Sequence, residues 1–187
     1  MLETGRLRLR PQRVPDAVVQ RELWSERDPR VPAHRRLSPD GRPTLAELQE
    51  RIRTGDRGRS LGLLAVELIE TGEVIGSCGL IATRYGDADE PEIAFELLRR
   101  SWGAGYATEA AGAVLGWADA AGAPRVWASV RDWNTASRRV LQKLGFEETT
   151  RLDRDEAHGD VIVAVRRRPD GDASPSRSPE GAPTVGA

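Results

Sequence analysis

A single cysteine, Cys78, rules out any disulfide within the chain. It sits in the apolar run Val74-Ile75-Gly76-Ser77-Cys78-Gly79-Leu80, where a small thiol packs well, so an inert buried side chain is expected rather than a nucleophile. Lysine is also nearly absent. Lys143 is the sole example among 28 basic residues, a pattern that reads as the codon bias of a GC-rich genome. Neither sign of charge dominates, the net charge being -1, and no polybasic block occurs. A nucleic-acid or anionic-membrane partner therefore has no electrostatic support. No apolar run approaches the ~20 residues that span a bilayer, and the opening residues lack the apolar core of a secretory signal. A soluble cytoplasmic protein is the expectation. The two histidines, His34 and His158, lie far apart without cysteine or carboxylate spacing for a metal, so no metal site is expected.

What is present is an ordinary globular composition, 39% apolar and 30% charged over 187 residues, enough for one domain with a real core. Leu7 to Arg10 alternates apolar and basic residues as a strand does and stops at Pro11. Asp16 is placed to cap a helix to about Ser25, with Val18, Val19 and Leu23 on one face. Residues 26–43 read as a long loop. Thr44 and Glu47 form a capping box for a short helix through Leu45, Leu48 and Ile52. Strands over Leu61 to Ile69 and Val74 to Ala82 flank Thr71-Gly72-Glu73, a hairpin connection. A further strand covers Glu92 to Leu98. A long Ala-rich helix follows and ends near Gly122, before Pro124. Arg125 to Arg131 reads as a strand and Asn134 to Leu144 as a helix stopped by Gly145. Phe146 to Leu152 and Val161 to Arg166 form a last strand pair. The expected fold is mixed α/β, with one mostly antiparallel sheet of six to seven strands over residues 1–167. Residues 168–187, rich in Pro, Gly, Ser, Ala and Asp, read as a disordered tail.

The passage from Glu92 into the Ala-rich helix carries the most chemistry. Gly103 and Gly105 allow close approach of a ligand to the backbone. The first N–H groups of a helix have no intrahelical acceptor, and the helix dipole adds positive potential. Together with the nearby Arg99 and Arg100 they suit a pyrophosphate. There is no Gly-Lys-Ser/Thr ending, so this is not a P-loop. Thr108 stands where a dinucleotide fingerprint needs its third glycine.

The stretch Leu97-Leu98-Arg99-Arg100-Ser101-Trp102-Gly103-Ala104-Gly105-Tyr106-Ala107-Thr108-Glu109-Ala110 resembles the acetyl-CoA motif of the GNAT superfamily of N-acetyltransferases. It is most similar to the branch that acetylates ribosomal-protein N-termini and other amines. Leu2 to Pro11 resembles the first strand of that branch, and Asn134 to Phe146 its last helix motif. The resemblance implies acetyl-CoA as co-substrate and a primary amine, a protein N-terminus or a small molecule, as acceptor, with a monomer or homodimer as the working form. It implies that the turn through Arg100, Trp102, Gly103, Ala104, Gly105, Tyr106, Ala107 and Thr108 holds the pyrophosphate. The backbone near Leu97 and Leu98 would hold the pantetheine arm, and Asn134 would contact its amides. Trp102 replaces the Arg or Gln of the superfamily pattern, leaving Arg100 or another side chain to supply a cationic contact.

Acetyl transfer needs a neutral amine and a proton for the departing thiolate. An α-amino group has a pKa of about 8 and a lysine amine about 10, so the second asks more of a base. Glu92 and Glu96 share one strand face. Family members commonly use a carboxylate on this strand as base, and Glu92 best matches it, with Glu96 next. Leu141 stands where many relatives carry an acidic Tyr, and Ser137 fits the hydroxyl donor of this branch. Leu141 also keeps open a second reading, a catalytically weak acyl-CoA-binding sensor. The acidic loop at Asp87, Asp89 and Glu90 reads either as an attractor of a cationic acceptor or, as charged loops usually are, as a merely solvated segment.

Overall fold

The computed structural model describes residues 1–55, 62–87 and 89–168. The proposed tail from residue 169 onward lies outside the described residues, as does Leu61. The strands are β1 (Leu2–Glu3), β2 (Leu7–Pro11), β3 (Gly62–Leu68), β4 (Val74–Ile81), β5 (Glu92–Leu97), β6 (Arg125–Arg131), β7 (Glu147–Asp153) and β8 (Val161–Arg167). They form one sheet in the order β1-β2-β3-β4-β5-β6-β8-β7. Every neighbour pair is antiparallel except β5 with β6. The sheet thus has one strand more than the six to seven expected. The addition is β1, too short to show an alternating pattern.

Alternation along the strands sets the two faces. On one, Leu7, Leu9, Val66, Ile75, Ile93 and Leu97 pack under the long helix α3 (Tyr106–Ala120). The small residues Ala110, Ala111 and Ala118 of α3 let it sit close, and Val114 and Leu115 fill the core. Each fully buried Leu or Val contributes roughly 1.5–3 kcal/mol relative to exposure. Helix α4 (Thr135–Lys143) adds Leu141 to this core and ends as the sequence predicts. Gly145 takes φ 81°, and the Phe146 N–H closes on the Leu141 carbonyl at 3.0 Å.

The opposite face carries α1 (Ala17–Glu26) and α2 (Leu45–Thr54). The α2 capping box forms as expected, Glu47 N–H donating to Thr44 Oγ1 at 3.2 Å and Thr44 N–H to Glu47 Oε2 at 2.7 Å. Asp16 differs from expectation. Its side chain makes no cap bond to α1; it is buried against Arg10, whose Nη1 and Nη2 donate at 2.8 and 3.1 Å. A buried guanidinium on β2 outcompetes a helix terminus for the carboxylate. Val18, placed on the apolar face by the sequence, is exposed, and Ala17 and Leu23 are the buried residues of α1. The loop after α1 includes a short 3-10 turn, Ala33–Arg35.

Cys78 is fully buried on β4, and burial pushes its thiol up to about 12. A thiol reagent is therefore expected to leave native protein unlabelled and to label one site per chain in denaturant. Rapid native labelling would show that Cys78 is accessible and reopen a role for it as nucleophile.

Candidate active site

The central feature is where β5 and β6 part. They pair in parallel at Glu92 with Trp127, reinforced by Trp127 N–H donating to the Pro91 carbonyl at 2.8 Å. Among the described residues no further β5–β6 register pair follows, so β5 from Ile93 onward has one edge without a strand neighbour. Which groups face that edge follows from antiparallel phase. Leu98 N–H donates to the Ile75 carbonyl on the β4 side at 2.9 Å. Stepping back by two puts the backbone groups of Glu96, Ala94 and Glu92 toward β4 and those of Leu97, Phe95 and Ile93 toward the open edge. Trp102 agrees: its Nε1 donates to the Leu97 carbonyl at 2.7 Å. Leu97 therefore faces the open edge, whereas the Leu98 N–H is already engaged. Phe95, which the sequence did not single out, offers its backbone there instead.

At the far end of this edge lies the glycine turn. Gly103 and Gly105 take φ 79° and 83°, left-handed conformations that other residues adopt at a cost of about 1–2 kcal/mol. Gly105 is the N-cap of α3, and the first turn donor with a backbone acceptor is Glu109, to the Gly105 carbonyl at 3.1 Å. The N–H groups of Gly103, Ala104, Gly105, Tyr106, Ala107 and Thr108 have no acceptor among the described residues. A row of unpartnered donors at a helix N-terminus suits a pyrophosphate, and the open strand edge suits a chain of amides.

The cation at this turn is Arg6. Its Nη1 donates to the Ala104 carbonyl at 3.1 Å, its Nε to Glu109 Oε2 at 2.7 Å, and its guanidinium lies 4.6 Å from the centre of the Tyr106 ring. Half of its side chain remains exposed. Arg100 instead pairs with Glu73 at 3.0 Å and with Glu22. Glu109 is the anchor that ties Thr4 and Arg6 to α3. The Arg6 contact spans 98 residues, so no local pattern signals it.

On the α1 face the two candidate bases separate clearly. Glu96 is gripped at both oxygens by Arg27. Glu92 is held by neutral donors only, Ser129 Oγ on Oε1 and Thr83 Oγ1 on Oε2 at 3.2 Å. It lines a cleft of about 530 Å³ with His34, Arg35, Arg84, Tyr85 and Arg131. Asn134 caps α4, its Oδ1 accepting from Ser137 N–H at 3.1 Å, and its amide nitrogen has no partner among the described residues. Ser137 is half-buried in the first turn of α4. Of the acidic loop, Asp87 and Asp89 are exposed and Glu90 is turned inward. Glu90 is buried, accepting from Trp127 Nε1 at 2.7 Å and Arg125 Nε at 2.6 Å. Trp133 stacks under Arg30, and His158 pairs with Asp155. No metal-ligating group of three side chains occurs among the described residues.

A mostly antiparallel sheet with one splayed parallel pair, a donor-rich helix start beneath the splay and a carboxylate beside it define an acyltransferase class of fold. The acetyltransferase (GNAT) domain model matches residues 6–147, and the chain belongs to that family. An uncharacterised N-acetyltransferase, p20, of Bacillus licheniformis is 31% identical over 170 residues, covering 86% of this chain and 90% of the relative. A GNAT-family acetyltransferase from Bacillus anthracis superposes with a TM-score of 0.70 at 22% identity, covering 89% of this chain and 98% of that one. An acetyltransferase from Agrobacterium tumefaciens reaches 0.63 at 26% identity, covering 89% and 93%.

Proposed function

We propose that this chain is an acetyl-CoA-dependent N-acetyltransferase of the ribosomal-protein-type branch in which a primary amine attacks the thioester directly. The observation that carries the reading is the open edge of β5, which runs from the unpartnered donors at Gly103–Thr108 to Glu92. Those donors would take the pyrophosphate. The outward groups of Leu97 and Phe95 would bind the pantetheine amides as an added strand does. Binding there requires the Trp102 indole to give up the Leu97 carbonyl.

The amine would enter through the cleft beside Glu92. Its nitrogen forms a bond to the thioester carbon, the carbon–sulfur bond breaks, and the amine's proton passes to Glu92, directly or through a water. Hydroxyls of Ser129 and Thr83 hold the carboxylate in place without neutralising it. The Ser137 hydroxyl would donate to the departing sulfur. Leu141 takes no part, because it is buried in the core. Direct attack also fits a Cys78 that burial keeps protonated.

Thiol release from acetyl-CoA across a panel of primary amines tests the reading. Amine-dependent release supports it. CoA binding with no release on any amine would favour the sensor instead. Arg6→Ala is expected to raise the acetyl-CoA KM about tenfold, as loss of a charge-assisted contact does, with kcat within about threefold of wild type. Added salt should weaken wild-type binding more than that of the variant. An unchanged KM would take Arg6 out of the phosphate site.

A further inference from the structure

We propose that the acceptor is a small primary amine that also carries a carboxylate, with Arg35 as the residue that recognises it; this rests on the acetyltransferase reading above. The cleft beside Glu92, about 530 Å³, is of the size that holds small molecules. Its charged lining is uneven. Among the described residues Glu92 is the one carboxylate of the lining, which also includes Arg35, Arg84, Arg131 and His34. Glu92 has a proton to take and cannot also serve as counter-ion to a second ammonium.

The counter-ions of the other arginines lie behind the lining. Arg131 Nη1 pairs with Asp155 at 2.8 Å, and Arg84 pairs with Asp153 while its guanidinium lies 5.1 Å from the centre of the Tyr85 ring. Arg151 backs the same wall, donating to the Tyr85 carbonyl at 2.7 Å and approaching its ring, with no carboxylate partner among the described residues.

Arg35 is the lining arginine whose side chain has no hydrogen-bond or ion-pair partner among the described residues. Its backbone, in contrast, is fixed. The Arg35 N–H donates to the Pro32 carbonyl at 2.9 Å, and its own carbonyl accepts from Arg27 Nη1 at 2.8 Å. Arg27 is the residue that grips Glu96 on β5, so the strand that carries Glu92 also locates Arg35. A planar guanidinium on a fixed backbone, in the same cleft lining as the base, matches a carboxylate by paired hydrogen bonds. A polyamine meets the opposite situation. Its second ammonium would share the cleft with the unpaired Arg35 guanidinium, a like charge that disfavours binding.

The test compares kcat/KM for amino acids and for their carboxamides at equal free-amine concentration, with spermidine as the polycationic member. Wild type should prefer the acids by about tenfold or more and turn spermidine over worst. Arg35→Gln should cut that preference to about twofold, slowing the acids much more than the carboxamides. Arg35→Lys should retain part of it. Carboxamides or spermidine used as well as the acids would overturn the proposal while leaving the acetyltransferase standing. So would a preference that survives Arg35→Gln. Thiol release with other primary amines but with none of these three classes would overturn this inference alone, whereas release with no amine of the wider panel would overturn the acetyltransferase reading and this inference with it.

Discussion

Glu92→Gln is expected to lower kcat by about 10²-fold or more, the usual loss when a general base is removed, with the acetyl-CoA KM within about twofold of wild type. The substitution keeps the shape, and its amide oxygen can accept from one of the Ser129 and Thr83 hydroxyls while its NH2 donates to the other. The loss would therefore report proton transfer and not collapse of the site. It should be partly recovered at high pH, because the free-amine fraction of the acceptor rises toward its own pKa of about 8–10 without help from the protein. Ser129→Ala should cost much less, since Ser129 only orients the carboxylate. Steady-state rates from pH 6 to 10 check all three expectations. A Glu92→Gln rate within threefold of wild type would remove Glu92 as base. Glu96 would not be a ready substitute, because the bidentate grip of Arg27 occupies both of its oxygens.

The second large effect concerns stability. Arg10, Asp16 and Glu67 form a buried network on the α1 face, with Arg10 Nε donating to Glu67 Oε2 at 2.7 Å beside its two bonds to Asp16. Arg10→Met strands the buried Asp16 carboxylate and leaves Glu67 with Arg8 alone, and should destabilise by about 3–5 kcal/mol, the scale for breaking a buried ion pair from one side. The triple variant with Asp16→Asn and Glu67→Gln should regain a good part of that. The pH dependence gives a further check. Arg10 hydrogen bonds hold the Glu67 carboxyl below its ordinary range. For Asp16, burial pushes upward, yet the bonds from Arg10 and the Arg13 N–H win and its carboxyl too lies low. Depressed carboxyls contribute stability above their ordinary pKa of about 4, and that contribution is lost as pH falls below it. Wild type should weaken on acidification below about pH 4. In Arg10→Met the same descent should be shallower or reversed, because protonation then relieves the stranded charge. Urea titrations at pH 7 and pH 3.5 measure both. Equal acid sensitivity in the two proteins would show that the network is not the source.

Much of this architecture is local and therefore legible in the residues. Alternation defines the main strands, because a strand with one buried face must repeat every two residues. The box at Thr44 and Glu47, the stop at Gly145 and the turn at Gly103 and Gly105 each depend on groups within a few positions of one another. Motif resemblance adds the reaction class. Three things are settled only by the tertiary structure. One is which edge of β5 stays open, since that depends on where β6 diverges after Glu92 and Trp127. Another is the difference between Glu92 and Glu96, identical in strand alternation but not in partners, because Arg27 reaches one of them across 69 positions. The last is that Arg6 and not Arg100 stands at the glycine turn. Arg100 is close in sequence but is drawn off by Glu22 and Glu73, while Arg6 is brought in by Glu109. Local hydrogen bonding and periodicity are written in neighbouring residues. The pairing of long charged side chains is decided by whatever folding brings within their reach.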